Sequence, residues 1–165
     1  MVLDFRIRET TADDWRDVRE LRLEMLADTP LAFLERLPDA RAHGEAVWRA
    51  RGERGYLAAI DASGRWLGTM GWARPRDGEA SPVLVGVYVT PSARGRDAGV
   101  ADALLAGVEE EVARYWDRIL LEVNEENPRA IAFYERHGYE PTGEWRPYPL
   151  DPRQRELEMA KRLLR

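Results

Sequence analysis

The sequence predicts an α/β (α+β) fold in which a mixed, mostly antiparallel sheet contains one central parallel strand pair and has helices on both faces. Three observations support this fold class. Strand-length apolar runs alternate with amphipathic segments at helical spacing, and one strand–loop–helix–strand unit requires a parallel pair. The length of 165 residues suits one domain with a substantial core, so we expect a single domain over residues 1–165.

The first elements are a strand and two helices. In LDFRIR, apolar and charged residues alternate as in a half-buried strand. The segment TTADDWRDVRELRLEML has an apolar face at helical spacing, and Thr11 and Asp14 form a capping pair at its start. Pro30 ends this helix, and PDARAHGEAVWRARGE predicts one further helix that ends before Gly55.

The middle of the chain predicts three adjacent strands. YLAAI and RWLGTMGWA are joined by the turn DASG, which indicates a hairpin. The next strand, within PVLVGVYV, is apolar nearly throughout, as expected for a strand covered on both faces. The helix that follows the arginine-glycine loop has one apolar face and directs Glu109, Glu110 and Glu111 mostly toward water.

The last part of the chain completes the parallel unit. RILLEV is a buried strand, which we expect to lie parallel to VLVGVYV through a right-handed crossover. NEENPRAIAFYERHG predicts a helix with Asn127 as its N-cap, Pro128 at its first position and Gly138 just past its end. YEPTGEW and ELEMAKRLL predict a final antiparallel pair.

Composition narrows the function classes. The chain has no cysteine and only two histidines, so we expect no disulfide and no metal site. A net charge of −5 argues against a nucleic-acid partner and would suit a cationic small molecule or peptide amine. No apolar stretch is long enough for a membrane span, and the N-terminal residues lack a signal-peptide pattern. We therefore expect a cytoplasmic protein with no membrane partner.

The stretch RGRDAG lies between an apolar strand and an amphipathic helix. A helix N-terminus leaves backbone N–H groups unpaired and attracts phosphate, and Arg94 and Arg96 add positive charge. The alternative is that Gly95 and Gly99 only allow the chain to turn. The nucleotide motifs G-x-x-x-x-G-K-[ST] and G-x-G-x-x-G are both missing.

Two motifs resemble one enzyme family. RDAGVA, residues 96–101, matches Q/R-x-x-G-x-G/A, the acyl-coenzyme-A pyrophosphate loop of the GCN5-related N-acetyltransferases (GNAT). LEVNEENPRAIAFYERHGYE, residues 121–140, resembles the second coenzyme-A motif of that family, L-x-V-x-x-x-N-x-x-A-x-x-x-Y-x-x-x-G-F/Y. The resemblance extends over essentially the whole chain. It implies the GNAT fold and an acetyltransferase domain that uses acetyl-CoA as cosubstrate.

The resemblance also assigns roles to residues. Backbone amides 97–101 would hold the pyrophosphate, the strand around Val87 would bind the pantetheine arm, and Tyr134 would protonate the leaving thiolate. The implied coenzyme-binding residues are Val87, Tyr88, Val89, Arg94, Arg96, Asp97, Ala98, Gly99, Val100, Ala101, Asn127, Ala130, Phe133 and Tyr134. On the alternative interpretation, Phe133 and Tyr134 are core aromatics and Asn127 is only a helix cap.

The sequence departs from the family pattern at two points. Many members have a glutamate on the strand before the pyrophosphate loop, and PVLVGVYV has no carboxylate. Glu122 is our candidate for the catalytic base, acting through ordered water, and Glu79 is the alternative. Asp97 lies inside the anion-binding loop, where a carboxylate repels phosphate, so we expect it to weaken coenzyme binding.

The predicted function is transfer of an acetyl group from acetyl-CoA to a primary amine of a small molecule or peptide, through direct tetrahedral attack. The alternative is a non-catalytic acyl-CoA-binding sensor or interaction module on the same fold. Homodimers are frequent in the family, and an exposed edge strand offers one route to a dimer. Three acids and three aromatics could contact the acceptor, although core packing or solvation accounts for them equally well: Glu24, Asp28, Glu35, Trp48, Trp145 and Tyr148.

Overall fold

The computed structural model describes residues 3–164, which contain seven strands and five α-helices. The strands are β1 (Phe5–Glu9), β2 (Leu57–Asp61), β3 (Trp66–Ala73), β4 (Val83–Val89), β5 (Arg118–Asn124), β6 (Glu140–Tyr148) and β7 (Asp151–Arg162). The helices are α1 (Trp15–Asp28), α2 (Leu37–Ala42), α3 (Glu45–Gly52), α4 (Val100–Ala113) and α5 (Pro128–Arg136). The strands form one mostly antiparallel sheet in the order β1-β2-β3-β4-β5-β7-β6, with β4 and β5 parallel. The predicted fold class is confirmed. No helix among the described residues is long and apolar enough to span a membrane.

The chain divides into two compact units, residues 3–71 with 86–108 and residues 72–85 with 109–164. The prediction of one domain stays a prediction. In the first unit, Leu21 and Met25 of α1 pack with Ala58 and Ile60 on one face of β2. On the opposite face, the side chain of Leu57 lies against Gly107 of α4, where an added Cβ would be 2.7 Å from it. This unit therefore has helices on both faces of its strands, as predicted.

The segment predicted as one helix after Pro30 forms two, α2 and α3. His43 and Gly44 have extended backbone, with ψ of 138° and 173°, and Gly44 is the N-cap of α3. Glycine is a poor helix former, so the chain starts a new helix at Glu45 rather than continuing the first. The break lets α1, α2 and α3 pack together around Leu26, Ala40 and Trp48, which are at most 1% exposed.

The second unit has the predicted parallel and antiparallel pairs. Val83 of β4 pairs in parallel with Leu120 of β5, and β7 pairs antiparallel with both β5 and β6. The expectation that the glutamates of α4 face water is wrong for Glu109. The Tyr139 hydroxyl donates to its carboxylate at 3.0 Å, and the Lys161 ammonium lies 2.8 Å from it. These contacts tie α4 to β7 within the unit.

The ring of Tyr56 covers two glycines in neighbouring strands of the first unit. A Cβ added at Gly71 would lie 2.3 Å from Tyr56 Cδ1, and one added at Gly86 would lie 2.6 Å from Cε2. Gly86 also has a φ of 63°, in the left-handed region that favours glycine. Both strands thus lack side chains where the ring lies.

We expect Gly71→Ala to lower the free energy of unfolding by about 2 kcal/mol, because its methyl group overlaps a packed ring. Gly44→Ala is the matched control, since a Cβ there meets nothing within 4 Å and its φ is −82°. Urea denaturation of both variants measures the difference. Equal stability of the two variants would contradict the packing argument.

Candidate active site

The loop between β4 and α4 contains the predicted pyrophosphate site. A 3₁₀ turn, Pro91–Ala93, follows β4, and α4 begins at Val100. Gly95 and Gly99 have φ of 103° and 72°, so both adopt the left-handed conformation that the turn requires. Ala98 and Val100 are buried and hold the loop to the unit, whereas the first-turn amides of α4 have no intrahelical partners. The loop therefore has the backbone arrangement of an anion site.

The charged side chains of this loop differ in their contacts. Arg94 Nε donates to the Val89 carbonyl at 2.8 Å, and its guanidinium forms an ion pair with Asp28 of α1. Arg96 and Asp97 are exposed, and their side chains form no hydrogen bond or ion pair within residues 3–164. Asp97 consequently does not cap α4. Arg96 is the arginine of the loop whose charge is uncompensated, and Arg94 holds the loop to α1.

The end of β4 is bound to α1 by hydroxyl and carboxylate groups. The Tyr88 hydroxyl donates to Glu24 at 3.2 Å and to Asp28 at 3.3 Å, and the Thr90 hydroxyl also donates to Glu24. Burial, followed by the charge of the two carboxylates, raises the pKa of Tyr88. Carboxylates of α1 thus hold the end of β4, the strand that leads into the loop.

Tyr134 lies in the second unit, on α5. Asn127 caps this helix as predicted, with its side-chain oxygen accepting a hydrogen bond from the Ala130 amide at 3.1 Å. The Tyr134 ring makes edge contacts with Phe133 and Tyr139, at centroid distances of 5.3 and 5.7 Å. Burial raises the pKa of Tyr134 to about 12, so its hydroxyl stays protonated at neutral pH. Tyr134 is therefore a protonated phenol that is packed among aromatic rings.

Glu122, on β5, is held by two arginines of the second unit. Arg76 contacts both of its carboxylate oxygens, at 2.7 and 3.3 Å, and Arg146 lies 2.9 Å away. The Glu122 side chain is 17% exposed. The alternative candidate, Glu79, has a buried Oε2 atom with no hydrogen-bond partner within the described part of the chain. Neither arrangement tests a role in catalysis, so both assignments stay predictions.

A cavity of about 470 Å³ opens in the first unit. Four of its lining residues carry charge: Arg22, Glu35, Arg51 and Arg54. Its apolar wall is formed by Val18, Leu21, Met25, Phe33, Leu34 and Trp66. Gly86 of β4 and Tyr56 also line it. The sequence does not distinguish these arginines, because isolated arginines in a highly charged chain resemble ordinary surface residues.

Glu35 is the centre of an ionic cluster at this cavity. Arg51 donates to both carboxylate oxygens, at 2.8 and 2.7 Å, and Arg22 Nε donates to one of them at 2.8 Å. His43 Nε2 lies 2.9 Å from the other oxygen. The hydrogen bonds, with that from Arg51 the strongest, lower the pKa of Glu35 to about 2. Glu35 is therefore fully ionised and joins α1 to α3.

The acids proposed to meet a cationic acceptor are engaged within the chain itself. Glu24 accepts hydrogen bonds from Tyr88 and Thr90, Asp28 pairs with Arg94, and Glu35 is bound by Arg22 and Arg51. These contacts favour the interpretation that the acids serve the packing of the chain, and the idea that they meet a cationic acceptor stays a prediction. Of the aromatics, Trp48 is 1% exposed in the helix core, whereas Trp145 and Tyr148 lie on β6 in the second unit. No group of three or more His, Asp or Glu within residues 3–164 is placed to hold a metal ion.

Comparisons with known proteins identify the family. Residues 15–139 match the acetyltransferase (GNAT) family. The chain therefore belongs to the GNAT family of acetyltransferases, as its two motifs indicate. The mycothiol acetyltransferase of Salinispora arenicola (strain CNS-205) is 31% identical over 122 residues, which are 72% of this chain and 39% of that protein. This chain thus matches well under half the length of that relative.

Solved structures agree with the fold. The protein yncA of Salmonella typhimurium, solved with acetyl-CoA, has a TM-score of 0.74 at 19% identity, over 98% of this chain and 95% of that chain. A phosphinothricin acetyltransferase of Sinorhizobium meliloti, also in complex with acetyl-CoA, has a TM-score of 0.72 at 20% identity, over 98% and 89% of the two chains. At this level of identity the likeness establishes the fold alone.

We expect Glu35→Gln to remove part of the acid sensitivity of the protein. Because folding lowers the pKa of Glu35 from 4.5 to about 2, its contribution to stability is complete above pH 4.5 and is lost as the pH falls through 2. This contribution amounts to about 3 kcal/mol. The free energy of unfolding, measured by urea denaturation from pH 7 to pH 2, should fall less steeply below pH 4.5 in the variant.

Glu45→Gln is the control for this measurement. Glu45 also pairs with an arginine, at 2.7 Å from Arg49, but its side chain is 52% exposed. An exposed pair of this kind contributes little to stability. The control should keep the wild-type pH profile, and parallel profiles for Glu35→Gln and wild type would contradict the role given to the cluster.

Proposed function

We propose that this chain transfers the acetyl group of acetyl-CoA to a primary amine of a small molecule or peptide. Membership of the GNAT family supports acetyl transfer in general. The observation that carries the proposal is the loop before α4, where two left-handed glycines and the unpaired first-turn amides form an anion site within the region that matches the family. The transfer is direct, with a tetrahedral intermediate and no acyl-enzyme.

The residues of the loop fit a pyrophosphate group. A Cβ at Gly99 would meet nothing within 4 Å, so the space outside the loop is open, and Arg96 has a free guanidinium. In this proposal, the backbone amides of residues 97–101 bind the pyrophosphate, and Arg96 adds charge. The backbone of Val87 and Val89 binds the pantetheine arm. Asn127, Ala130 and Phe133 are the further coenzyme-contact residues that the second motif implies.

Acetyl-CoA supplies a thioester. In the transfer, the amine nitrogen forms a bond to the carbonyl carbon of the thioester, and the bond from that carbon to sulfur breaks. The amine loses one proton and the sulfur gains one, so the protein must manage two proton transfers. A backbone amide near Val87, fixed before the reaction, polarises the carbonyl oxygen. In this proposal the Tyr134 hydroxyl, which is protonated at neutral pH, donates its proton to the sulfur as the bond from carbon to sulfur breaks, and the phenolate then regains a proton from solvent.

The proton from the amine requires an acceptor. We assign this role to Glu122, acting through ordered water, with Glu79 as the alternative. The side chain of Glu122 is only partly exposed, and Arg76 and Arg146 fix its position. Glu79 is supported by its buried oxygen atom, which has no partner within residues 3–164. The variants Glu122→Gln and Glu79→Gln distinguish the two candidates. Loss of the true base should lower the maximal rate of thiol release, whereas loss of the other glutamate should leave it close to wild type.

Release of free thiol from acetyl-CoA, measured with a panel of primary amines, tests the function. The wild-type protein should release thiol with at least one amine. Tyr134→Phe should lower the rate at saturating acetyl-CoA by about a hundredfold and leave coenzyme affinity within a few fold, because only protonation of the leaving group is impaired.

Tyr139→Phe is the matched control for this substitution. Tyr139 is a buried phenol that contacts Tyr134, and its hydroxyl binds Glu109. The control should turn over at close to the wild-type rate. A Tyr134→Phe variant as fast as wild type would show that Tyr134 is not the acid. Binding of acetyl-CoA without thiol release for any amine would favour the sensor or interaction module.

Asp97→Asn should bind acetyl-CoA more tightly than wild type. Its carboxylate is exposed and unpaired within the loop assigned to the pyrophosphate, and repulsion of ~1 kcal/mol corresponds to about a fivefold change in Kd. Calorimetric titration measures the affinity. Asp39→Asn, which removes an exposed charge from α2 in the same unit, should have no effect. Unchanged or weaker binding by Asp97→Asn would contradict the proposed repulsion.

A further inference from the structure

We propose that the acceptor amine carries a carboxylate, and that Arg54 binds this carboxylate in the cavity of the first unit. This inference rests on the proposed function, because it identifies the chemical class of the amine. It departs from the expectation, based on net charge, of a cationic acceptor. Three features of the cavity support the inference: its charges, its hydrogen bonds and its apolar surface.

The charge of the cavity is the first observation. Three arginines and one glutamate line it, which gives the lining a net charge of +2 although the whole chain has a net charge of −5. Glu35 is already bound by Arg22 and Arg51 and is therefore not available to a ligand cation. A second positive charge on the acceptor would be repelled here, whereas a negative one would be attracted.

The second observation is the state of Arg54. This residue follows α3, and its amide donates to the Arg51 carbonyl at 3.2 Å. Its side chain has no hydrogen bond, ion pair or ring contact within residues 3–164. By contrast, Arg22 lies over the Phe33 ring at 5.0 Å and Arg51 over the Trp48 ring at 4.8 Å, in addition to their bonds with Glu35. Arg54 therefore has a complete set of donors for a planar, bidentate carboxylate.

The rest of the lining fits the body of a small amino acid derivative. Apolar side chains of α1 and Phe33 form a wall, and the cavity volume of about 470 Å³ is in the range of small-molecule sites. Tyr56 and Thr69 also line the cavity, and their hydroxyl groups have no hydrogen-bond partner within the described chain. They can bind polar groups of the ligand.

The cavity also reaches the strand where the reaction is assigned. Gly86 lines it and directly precedes Val87, whose backbone we assign to the thioester. An acceptor with its carboxylate on Arg54 can therefore extend its amine toward β4 within one cavity. The lone pair of that amine forms the new bond to the acetyl carbon, and the proton and the thiolate leave as described above.

Matched substrates test this inference. L-methionine and L-methioninamide, and L-phenylalanine and its amide, differ only in carboxylate against carboxamide. We expect kcat/KM for thiol release to be at least tenfold higher for each acid. The carboxamide lowers the pKa of the neighbouring amine and so favours the amide chemically, which means that a preference for the acid reflects recognition. Arg54→Gln should bring the ratio of acid to amide close to one.

Arg41→Gln is the control, since Arg41 is an exposed arginine of α2 in the same unit that does not line the cavity. It should keep the wild-type ratio. Equal use of acid and amide by wild type, or an unchanged ratio in Arg54→Gln, overturns the inference and leaves the acetyltransferase function intact.

Absence of thiol release with any amine overturns the proposed function instead. Direct binding measurements then show whether Arg54 binds a carboxylate in the cavity. Calorimetric titration of the acids and amides into wild type and Arg54→Gln measures it. If the acids bind, and Arg54→Gln weakens their binding tenfold or more, the part of the inference that assigns carboxylate binding to Arg54 is upheld. Equal binding of acid and amide, or no binding of either at millimolar concentration, overturns it.

Discussion

The ionic cluster at Glu35 is the interaction on which the cavity of the first unit depends. Its carboxylate is bound by Arg22 of α1 and Arg51 of α3, and it lies on the segment between α1 and α2. Removing one partner from such a cluster would leave charges without compensation in a partly buried place. The cluster therefore fixes the segment that contains Phe33 and Glu35 against both helices. Glu35 is the acid of the cavity lining, and its charge is compensated by Arg22 and Arg51. The lining as a whole is therefore positive.

The same pattern recurs at the end of β4, where Glu24 and Asp28 of α1 bind Tyr88, Thr90 and Arg94. The acids of α1 thus stabilise the strand and the loop of their own unit. The net charge of the chain therefore does not describe the charge of the cavity, whose lining has more arginines than acids. Local pairing decides which charged side chains of the cavity remain without a partner among the described residues.

Much of the fold was accessible from the sequence. The pattern of PVLVGVYV gave the limits of β4, and the signals at Asn127, Pro128 and Gly138 gave those of α5, because strand periodicity and helix caps are local properties. The separation of α2 from α3 was missed, since Gly44 lies inside an otherwise helical pattern. The bonds of Glu109 to Tyr139 and Lys161 were missed as well, because they join residues 30 and 52 positions apart.

The two halves of the candidate site differ in how far sequence can reveal them. An anion site made of backbone amides needs a strand end, left-handed glycines and a helix start, and these features leave a short, regular motif in the sequence. The cavity proposed for the acceptor is lined by side chains from separate elements, and Arg54 differs from Arg22 and Arg51 because Glu35 pairs with those two arginines. No regular spacing in the sequence indicates that Glu35 pairs with Arg22 and Arg51. The coenzyme motifs can therefore be recognised along the chain, whereas the proposed class of acceptor depends on which arginine has no partner among residues 3–164.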